Sequence, residues 1–123
     1  RRQNRAALAL FRNKQSGADF VVANYHMPCL FGDPVKRQAK AIHTAILSER
    51  VAKFAQGCDY VLTGDFNTKP FDSELKVVVS GSLEEEDEAR PPNSDSLTIQ
   101  RWLDSRVEWK FRSAFLDRFG QEA

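Results

Sequence analysis

Two segments rich in β-branched and aromatic residues, FVVANYH at 20–26 and YVLTGDFN at 60–67, flank a longer segment with a different period. From Val35 to about Ala55, apolar side chains recur about one helical turn apart. They stand at Ala39, Ile42, Ala45 or Ile46, and Val51 or Phe54. The second β-type segment is continuously apolar, which is typical of a strand buried on both faces. A strand, a helix and a further strand in this order predict a layered α/β fold.

The remaining segments extend this pattern on both sides. Residues 4–11 (NRAALALF) and the Gly-containing turn RNKQSGAD precede the first of these strands, which predicts a hairpin. After Pro70, DSELKVVVSGSL predicts a helix with Asp72 or Ser73 as N-cap and Gly81 as its stop. An acidic loop at about 83–95 follows. Residues 95–120 predict one or two amphipathic helical segments, whose Trp102 and Trp109 pack the helix onto the sheet.

Composition limits the class of protein more than its function. The chain has 123 residues and 41% hydrophobic content, enough for one core, so we expect one domain over residues 1–123. Its 18 Lys and Arg against 17 Asp and Glu leave no overall field that would recruit nucleic acid or an anionic membrane. No apolar run is long enough to span a membrane. Cys29 and Cys58 are too few for a zinc module or a disulfide framework, which favours reduced thiols and an intracellular location, either cytoplasmic or nuclear.

Polar side chains stand at the ends of both predicted buried strands. His26 ends the first, and Asp65 and Asn67 end the second. In layered α/β folds, ligands bind at the carboxyl ends of strands. If the second strand stays extended past Gly64, Asp65 and Asn67 face one side, and Phe66 faces the core on the other.

An imidazole, a carboxylate and an amide together suit phosphodiester hydrolysis. A carboxylate binds a hard cation such as Mg²⁺ or takes a proton from water, an amide orients that water, and an imidazole stabilises charge on a phosphoryl oxygen. Simpler interpretations stay open, because Gly-Asp-Phe-Asn is also an ordinary Asx turn. A single histidine is likewise often a satisfied core or loop residue.

NYHMPC, followed after one helix by VLTGDFNTKPFDSEL, resembles the endonuclease/exonuclease/phosphatase family, the deoxyribonuclease I-like metal-dependent phosphoesterases. The resemblance covers roughly residues 3–80, and residues 112–123 (RSAFLDRFGQEA) are similar to a segment of the deadenylase and nocturnin-like branch. It implies a four-layer α/β sandwich, in which two sheets pack face to face between outer helices. It also implies that His26 contacts the phosphate, that Asp65 orients or deprotonates the attacking water, and that Asn67 positions water and phosphate. Asp65 and Asn67 are the implied ligands of Mg²⁺, with Mn²⁺ as an alternative.

The chain departs from the family pattern in two places. The family builds its main Mg²⁺ site from an asparagine and a glutamate in the first half of the domain, and it closes the site with an Asp-His pair near the C-terminus. Neither set has a counterpart in this sequence. Because the chain also opens without Met, we expect a partial domain that lacks the N-terminal part and the C-terminal end. Such a fragment exposes sheet edges and core, so we expect it to self-associate or to depend on its missing half.

Three hypotheses about function follow. The first is a Mg²⁺-dependent phosphoesterase of nuclease type, with a nucleic acid (RNA or DNA) or a nucleotide as the favoured substrate; whether the fragment alone is active stays open. The second is a catalytically inactive relative that acts as a protein-interaction module. The third is a structural domain whose GDFN is only a turn. We interpret His43 as a surface or packing residue and the acidic loop as solvated, and the basic segments RRQNR and VKRQAK as too weak a signal for phosphate binding.

Overall fold

A three-stranded mixed sheet organises the computed structural model, which describes residues 4–84, 86–90, 109 and 111–119. Its strands are β1 (Ala6–Arg12), β2 (Asp19–His26) and β3 (Asp59–Asp65). Its described helices are α1 (Pro34–Ala55), α2 (Ser73–Ser80) and α3 (Ala114–Phe119). These elements confirm the predicted hairpin, the central helix, the strand after it and the helix beyond Pro70.

The sheet has β2 at its centre. β1 pairs with β2 antiparallel through a turn in which the Asn13 side chain accepts hydrogen bonds from the amides of Gln15 and Ser16, at 2.8 and 3.1 Å. β3 pairs with β2 parallel, with α1 as the crossover. The α/β class is therefore confirmed. The described residues contain this one sheet, and the four-layer sandwich stays a prediction.

Helix α1 begins and ends where short-range chemistry favours it. The Asp33 side chain caps it by accepting a hydrogen bond from the Lys36 amide at 3.0 Å, and Pro34 supplies a preset helical φ. That amide, with the Lys36 side chain, holds the pKa of the Asp33 carboxyl below its usual range. After Ala55 the chain leaves the helix through Gln56 in the left-handed region and Gly57 at φ +90°.

Helix α1 lies between two cores rather than over one. Leu47 and Val51 pack against the sheet, whereas Ala41 and Ala45 pack against Val77 of α2. The predicted apolar stripe is confirmed at Ala45 and Val51, but the helix buries more than that stripe because it is covered on two sides. Its buried residues are Lys40, Ala41, Thr44, Ala45, Leu47, Ser48, Val51 and Ala55. Ile46 and Phe54, the alternatives to Ala45 and Val51 in the predicted stripe, are 45% and 47% exposed.

The face of the sheet that points away from α1 is open, and we call it the outer face. Strand side chains alternate, so the register assigns to it Ala7, Ala9, Phe11, Phe20, Val22, Asn24, His26, Asp59, Val61, Thr63 and Asp65. Phe11 stacks on Phe20 at 5.6 Å between ring centroids and is still 48% exposed. The prediction that β3 is buried on both faces is wrong. Val61 is 51% exposed, because no described element covers this face or pairs with the far edge of β3.

The acidic loop is only partly solvated. Within its described part, Leu83 and Ala89 are buried, and the carboxylate of Asp87 accepts a hydrogen bond from Ser73 Oγ at 2.6 Å and pairs with Lys76 Nζ at 3.1 Å. Burial raises the pKa of the Asp87 carboxyl, but the hydrogen bonds from Ser73, Ala89 and Lys76 outweigh that effect, so the pKa lies below its usual range. Residues 85 and 91–95 of the predicted loop lie outside the described residues.

Trp109 is buried, but it packs on helices rather than on the sheet. Its indole N–H donates to the carbonyl oxygens of Val77 and Val78 at 3.3 and 3.0 Å, and its ring joins the core between α1 and α2. Trp102 lies outside the described residues. None of the helices in the described part of the chain is long and apolar enough to cross a membrane.

Candidate active site

His26 and Asp65 meet at the carboxyl ends of the two parallel strands. The register of β2 and β3 pairs these two residues directly, and their side chains lie on the outer face. His26 Nε2 is 3.8 Å from Asp65 Oδ2, and the two side chains are 78% and 66% exposed. This distance is too long for a direct hydrogen bond, but one water could lie about 2.8 Å from both atoms. The strand ends thus present a nitrogen and a carboxylate oxygen that can share one ligand atom.

Gly64 permits the close approach of these strand ends. It has a φ of +135°, which side chains rarely tolerate, and a Cβ built on it would overlap the backbone carbonyl of Tyr25 on β2. Since Gly64 and Tyr25 stand directly before Asp65 and His26, any residue larger than glycine would push the two functional groups apart. The glycine of the GDFN motif therefore has a structural reason in the site itself.

Asn67 reaches the site through a turn, which corrects the prediction of an extended strand. β3 ends at Asp65, and Asn67 takes the left-handed region with a φ of +47°. Its backbone N–H donates to Asp65 Oδ1 at 2.9 Å, which is the geometry of an Asx turn. The strand cannot continue, because a left-handed residue reverses the backbone. Phe66 nevertheless packs on the core, as predicted.

The turn is tied to the end of β2 by two hydrogen bonds. The Met27 amide donates to the Asp65 carbonyl oxygen at 2.8 Å, and Asn67 Nδ2 donates to the Met27 carbonyl oxygen at 2.9 Å. The second bond assigns the nitrogen and oxygen of the Asn67 side-chain amide, because only Nδ2 can donate to the Met27 carbonyl oxygen. Within the described residues, Asp65 Oδ2 and Asn67 Oδ1 are the side-chain oxygens that the turn itself leaves for a ligand.

A buried ion pair behind the turn was not predicted from the sequence. Lys40 of α1 is 1% exposed, and its Nζ lies 2.6 Å from the Asn67 carbonyl oxygen and 3.2 Å from Glu74 Oε1. The other carboxylate oxygen of Glu74 accepts from Thr68 Oγ1 at 3.2 Å. Lys40, Glu74 and Lys69 also line a cleft of about 280 Å³ beside the turn. In the sequence Lys40 is the last residue of the basic segment VKRQAK, and no local pattern there indicates that it is buried.

The other predicted polar features lie away from this centre. His43 is exposed, and its Nδ1 lies 3.3 Å from the Tyr25 hydroxyl, in keeping with a surface or packing residue. Arg37 of the basic segment VKRQAK pairs with Glu88, and Lys36 pairs with Asp33 at 3.2 Å. Residues 1–3 of RRQNR lie outside the described residues. Cys29 and Cys58 are both free thiols.

The described residues fit only part of a Mg²⁺ site. They contain no group of three or more His, Cys, Asp and Glu side chains that could hold a metal ion. Mg²⁺, however, keeps several waters and is often bound through one or two carboxylates. Asp65 Oδ2 and Asn67 Oδ1 supply one carboxylate and one amide oxygen, which suits an ion held mostly by water.

Comparison of the chain with models of known protein families, with curated proteins and with solved structures finds no match. The resemblance to the endonuclease/exonuclease/phosphatase family therefore rests on the motifs NYHMPC and GDFN, and on the chemistry of the residues that these motifs bring together.

Proposed function

We propose that this chain carries the water-activating part of a divalent-metal-dependent phosphoesterase site. The observation that supports the proposal is the pairing of His26 with Asp65 at exposed, adjacent strand ends, with their side-chain atoms 3.8 Å apart. A pair so exposed adds little to folding stability, roughly 0–1 kcal/mol. Hydrolysis of a phosphate ester needs a group that accepts a proton from water and a neighbouring group that donates to a phosphoryl oxygen, and a carboxylate and an imidazole at this distance suit these two roles.

Each of the three residues has a role that follows from its atoms. Asp65 Oδ2 accepts a proton from the attacking water, while Asp65 Oδ1 accepts a hydrogen bond from the backbone N–H of Asn67, so the carboxylate cannot rotate freely. Asn67 Oδ1 accepts from the same water and orients it, because Nδ2 is held by Met27. His26 Nε2 donates to a phosphoryl oxygen as negative charge develops there.

Mg²⁺, or Mn²⁺ in its place, would be held by Asp65 and Asn67 through oxygen and would supply charge stabilisation at the phosphate. The favoured substrate is a nucleic acid or a nucleotide, as the resemblance implies. The chain itself contributes a proton acceptor, an orienting amide and a hydrogen-bond donor.

The test is hydrolysis of a generic activated phosphodiester with and without Mg²⁺, by this chain and by the longest gene product that contains it. We expect Asp65→Asn and His26→Ala to lower the rate by about 10²–10⁴-fold in whichever protein is active. Asp59→Asn is the matched control, because Asp59 is exposed on the outer face at the opposite end of β3. Equal losses for Asp59→Asn and Asp65→Asn would contradict the assignment.

A non-catalytic interaction module is a second candidate, favoured by the apolar surface around β3. The outer face exposes Phe11 and Val61. An apolar cleft of about 530 Å³ lies beside β3, α2 and residues 111–114, and it is larger than the cleft of about 280 Å³ near the turn. Exposed apolar surface of this kind is typical of contact sites. This candidate predicts no metal-dependent hydrolysis by either protein, and sedimentation that shifts toward the monomer on Val61→Lys.

A further inference from the structure

Lys40 is the most completely buried charged side chain near the candidate site. It is 1% exposed, in the first half of α1, and Glu74, its ion-pair partner, has a side chain that is 7% exposed. The Phe31 ring lies 4.8 Å from its Nζ and covers it from the loop after β2. Burying a charge is costly unless it is paired and hydrogen-bonded. A lysine in this position therefore has to be held by several partners at once.

The shortest contact of that ammonium is with the candidate site rather than with its counter-ion. Lys40 Nζ is 2.6 Å from the Asn67 carbonyl oxygen and 3.2 Å from Glu74 Oε1. Thr68, the residue after Asn67, has its Oγ1 3.2 Å from Glu74 Oε2 and 3.3 Å from Asp72 Oδ2, so its hydroxyl is shared between the two carboxylates. The ion pair therefore contacts two consecutive residues of the turn: Lys40 contacts the backbone carbonyl of Asn67, and Glu74 contacts the side chain of Thr68.

Asn67 needs such a contact because its backbone conformation is uncommon. Only a few per cent of residues other than glycine have a positive φ, although asparagine tolerates it better than most. Its backbone N–H donates to Asp65 at the end of β3, and its side-chain Nδ2 donates to Met27 just after the end of β2. The carbonyl is held from α1, by Lys40. Without that third contact the φ and ψ of Asn67 could change together, and the side chain would move because its Cα would be displaced.

We propose that Lys40 is a positioning residue: by holding the backbone carbonyl of Asn67, it sets the orientation of the Asn67 side-chain amide toward the water and phosphate. The proposal rests on the function proposed above for Asn67. Lys40 does not touch the substrate in this scheme, since its ammonium is buried beneath the turn. Its rival is a plain buried ion pair, which stabilises the fold and has no effect on the amide of Asn67.

The test compares Glu74→Gln with Lys40→Met/Glu74→Gln, so that the two proteins differ at residue 40 alone. The introduced glutamine keeps an acceptor oxygen for Lys40 and can donate from Nε2 to Thr68 Oγ1, whereas the introduced methionine has nearly the length of lysine and no donor. Two quantities are measured: exchange of the Asn67 side-chain amide protons by NMR, without metal or substrate, and kcat and KM for the activated phosphodiester.

Glu74→Gln should lower stability, because Lys40 loses its counter-ion, but the folded protein should keep Asn67 exchange, kcat and KM within about threefold of wild type, since Lys40 Nζ still reaches the Asn67 carbonyl. Adding Lys40→Met should speed exchange of the Asn67 amide protons about tenfold or more, and should lower kcat by a similar factor with KM unchanged. Unchanged Asn67 exchange in the double variant overturns the inference whatever the activity is. An inactive wild type whose Asn67 exchange still depends on Lys40 overturns the proposed function but supports the positioning role.

The double variant must be folded for this comparison, which the spectrum itself reports. Should it unfold, Lys40→Met/Glu74→Leu replaces the pair by two apolar side chains, the kind of exchange that buried ion pairs often tolerate. Its Asn67 amide protons are then compared with those of wild type. Faster exchange confined to the turn supports the inference, and wild-type exchange there overturns it.

Discussion

Gly64→Ala should be the most damaging single-methyl change in the sheet. The new Cβ meets two obstacles, a φ of +135° that alanine rarely adopts and the backbone carbonyl of Tyr25 on the neighbouring strand. A residue forced into a sparsely populated backbone region costs about 1–3 kcal/mol. Overlap with a packed neighbour costs about 1–3 kcal/mol more, because backbone atoms cannot move aside as a side chain can. We therefore expect a loss of about 2–6 kcal/mol, a large part of the roughly 5–15 kcal/mol that stabilises a typical domain.

Gly57→Ala separates the two costs. Gly57, in the turn before β3, has a φ of +90°, and a Cβ there meets nothing within 4 Å. It should lose only the conformational part, about 1–3 kcal/mol. Urea unfolding followed by circular dichroism gives both values, provided that the slope of free energy against urea is the same for the two variants.

The same pair of variants reports on the site. Since Gly64 precedes Asp65, its Cβ should part the strand ends and change the NMR shifts of the His26 ring, whereas Gly57→Ala should leave them as in wild type. Equal urea midpoints for the two variants would refute the close-approach argument. So would an unperturbed His26 in a folded Gly64→Ala protein.

Three further predictions concern the groups that support the fold. Because the folded pKa of Asp87 lies below its ordinary value of 3.8, its carboxylate stabilises the protein above that pH and stops doing so as the pH falls through the folded pKa. Urea midpoints between pH 6 and 2 should therefore fall less steeply for Asp87→Asn than for wild type, and parallel curves would contradict this. Lys40→Met alone should cost about 3–5 kcal/mol, because it leaves Glu74 buried without its partner, and Lys40→Met/Glu74→Leu should cost clearly less; equal urea midpoints would contradict the pairing. Trp109→Phe removes an indole donor and leaves a smaller ring in the core, at about 1–3 kcal/mol in urea unfolding, and a midpoint equal to that of wild type would contradict the packing.

Local signals predicted the order of elements and the meeting of His26 with Asp65. The β-branched segments, the helix start at Asp72 and the Gly81 stop are local signals, and the structure has α2 from Ser73 to Ser80 with Gly81 at φ +72° after it. Asp72 stands at the N-cap position, but its side chain makes no capping hydrogen bond and accepts instead from the Lys69 amide at 2.7 Å. The convergence of the two side chains required only that parallel strands align their carboxyl ends. These are short-range or topological rules, so they can be applied to a sequence.

What could not be predicted depended on neighbours that are distant in the chain. The buried face of α1 is set by α2 and Trp109 as well as by the sheet, so a single apolar stripe could not decide between Ala45 and Ile46 or between Val51 and Phe54. Lys40 is buried only because Glu74 lies 34 positions later in sequence and 3.2 Å away in space. Val61 is likewise exposed because none of the described elements covers the outer face of the sheet.

The Asx turn does not argue against a functional Asp65 and Asn67, although the two interpretations begin as alternatives. The turn uses Asp65 Oδ1 and the Asn67 amide, and it leaves Asp65 Oδ2 directed to His26 at 3.8 Å. A residue that is only a turn former would not need an imidazole opposite it. His26 is 78% exposed, and its Nε2 lies 3.8 Å from Asp65 Oδ2, so folding alone gives little reason for a histidine there. His26→Ala is therefore the substitution that distinguishes the two interpretations, since it should leave the urea midpoint almost unchanged and remove activity if the site is catalytic.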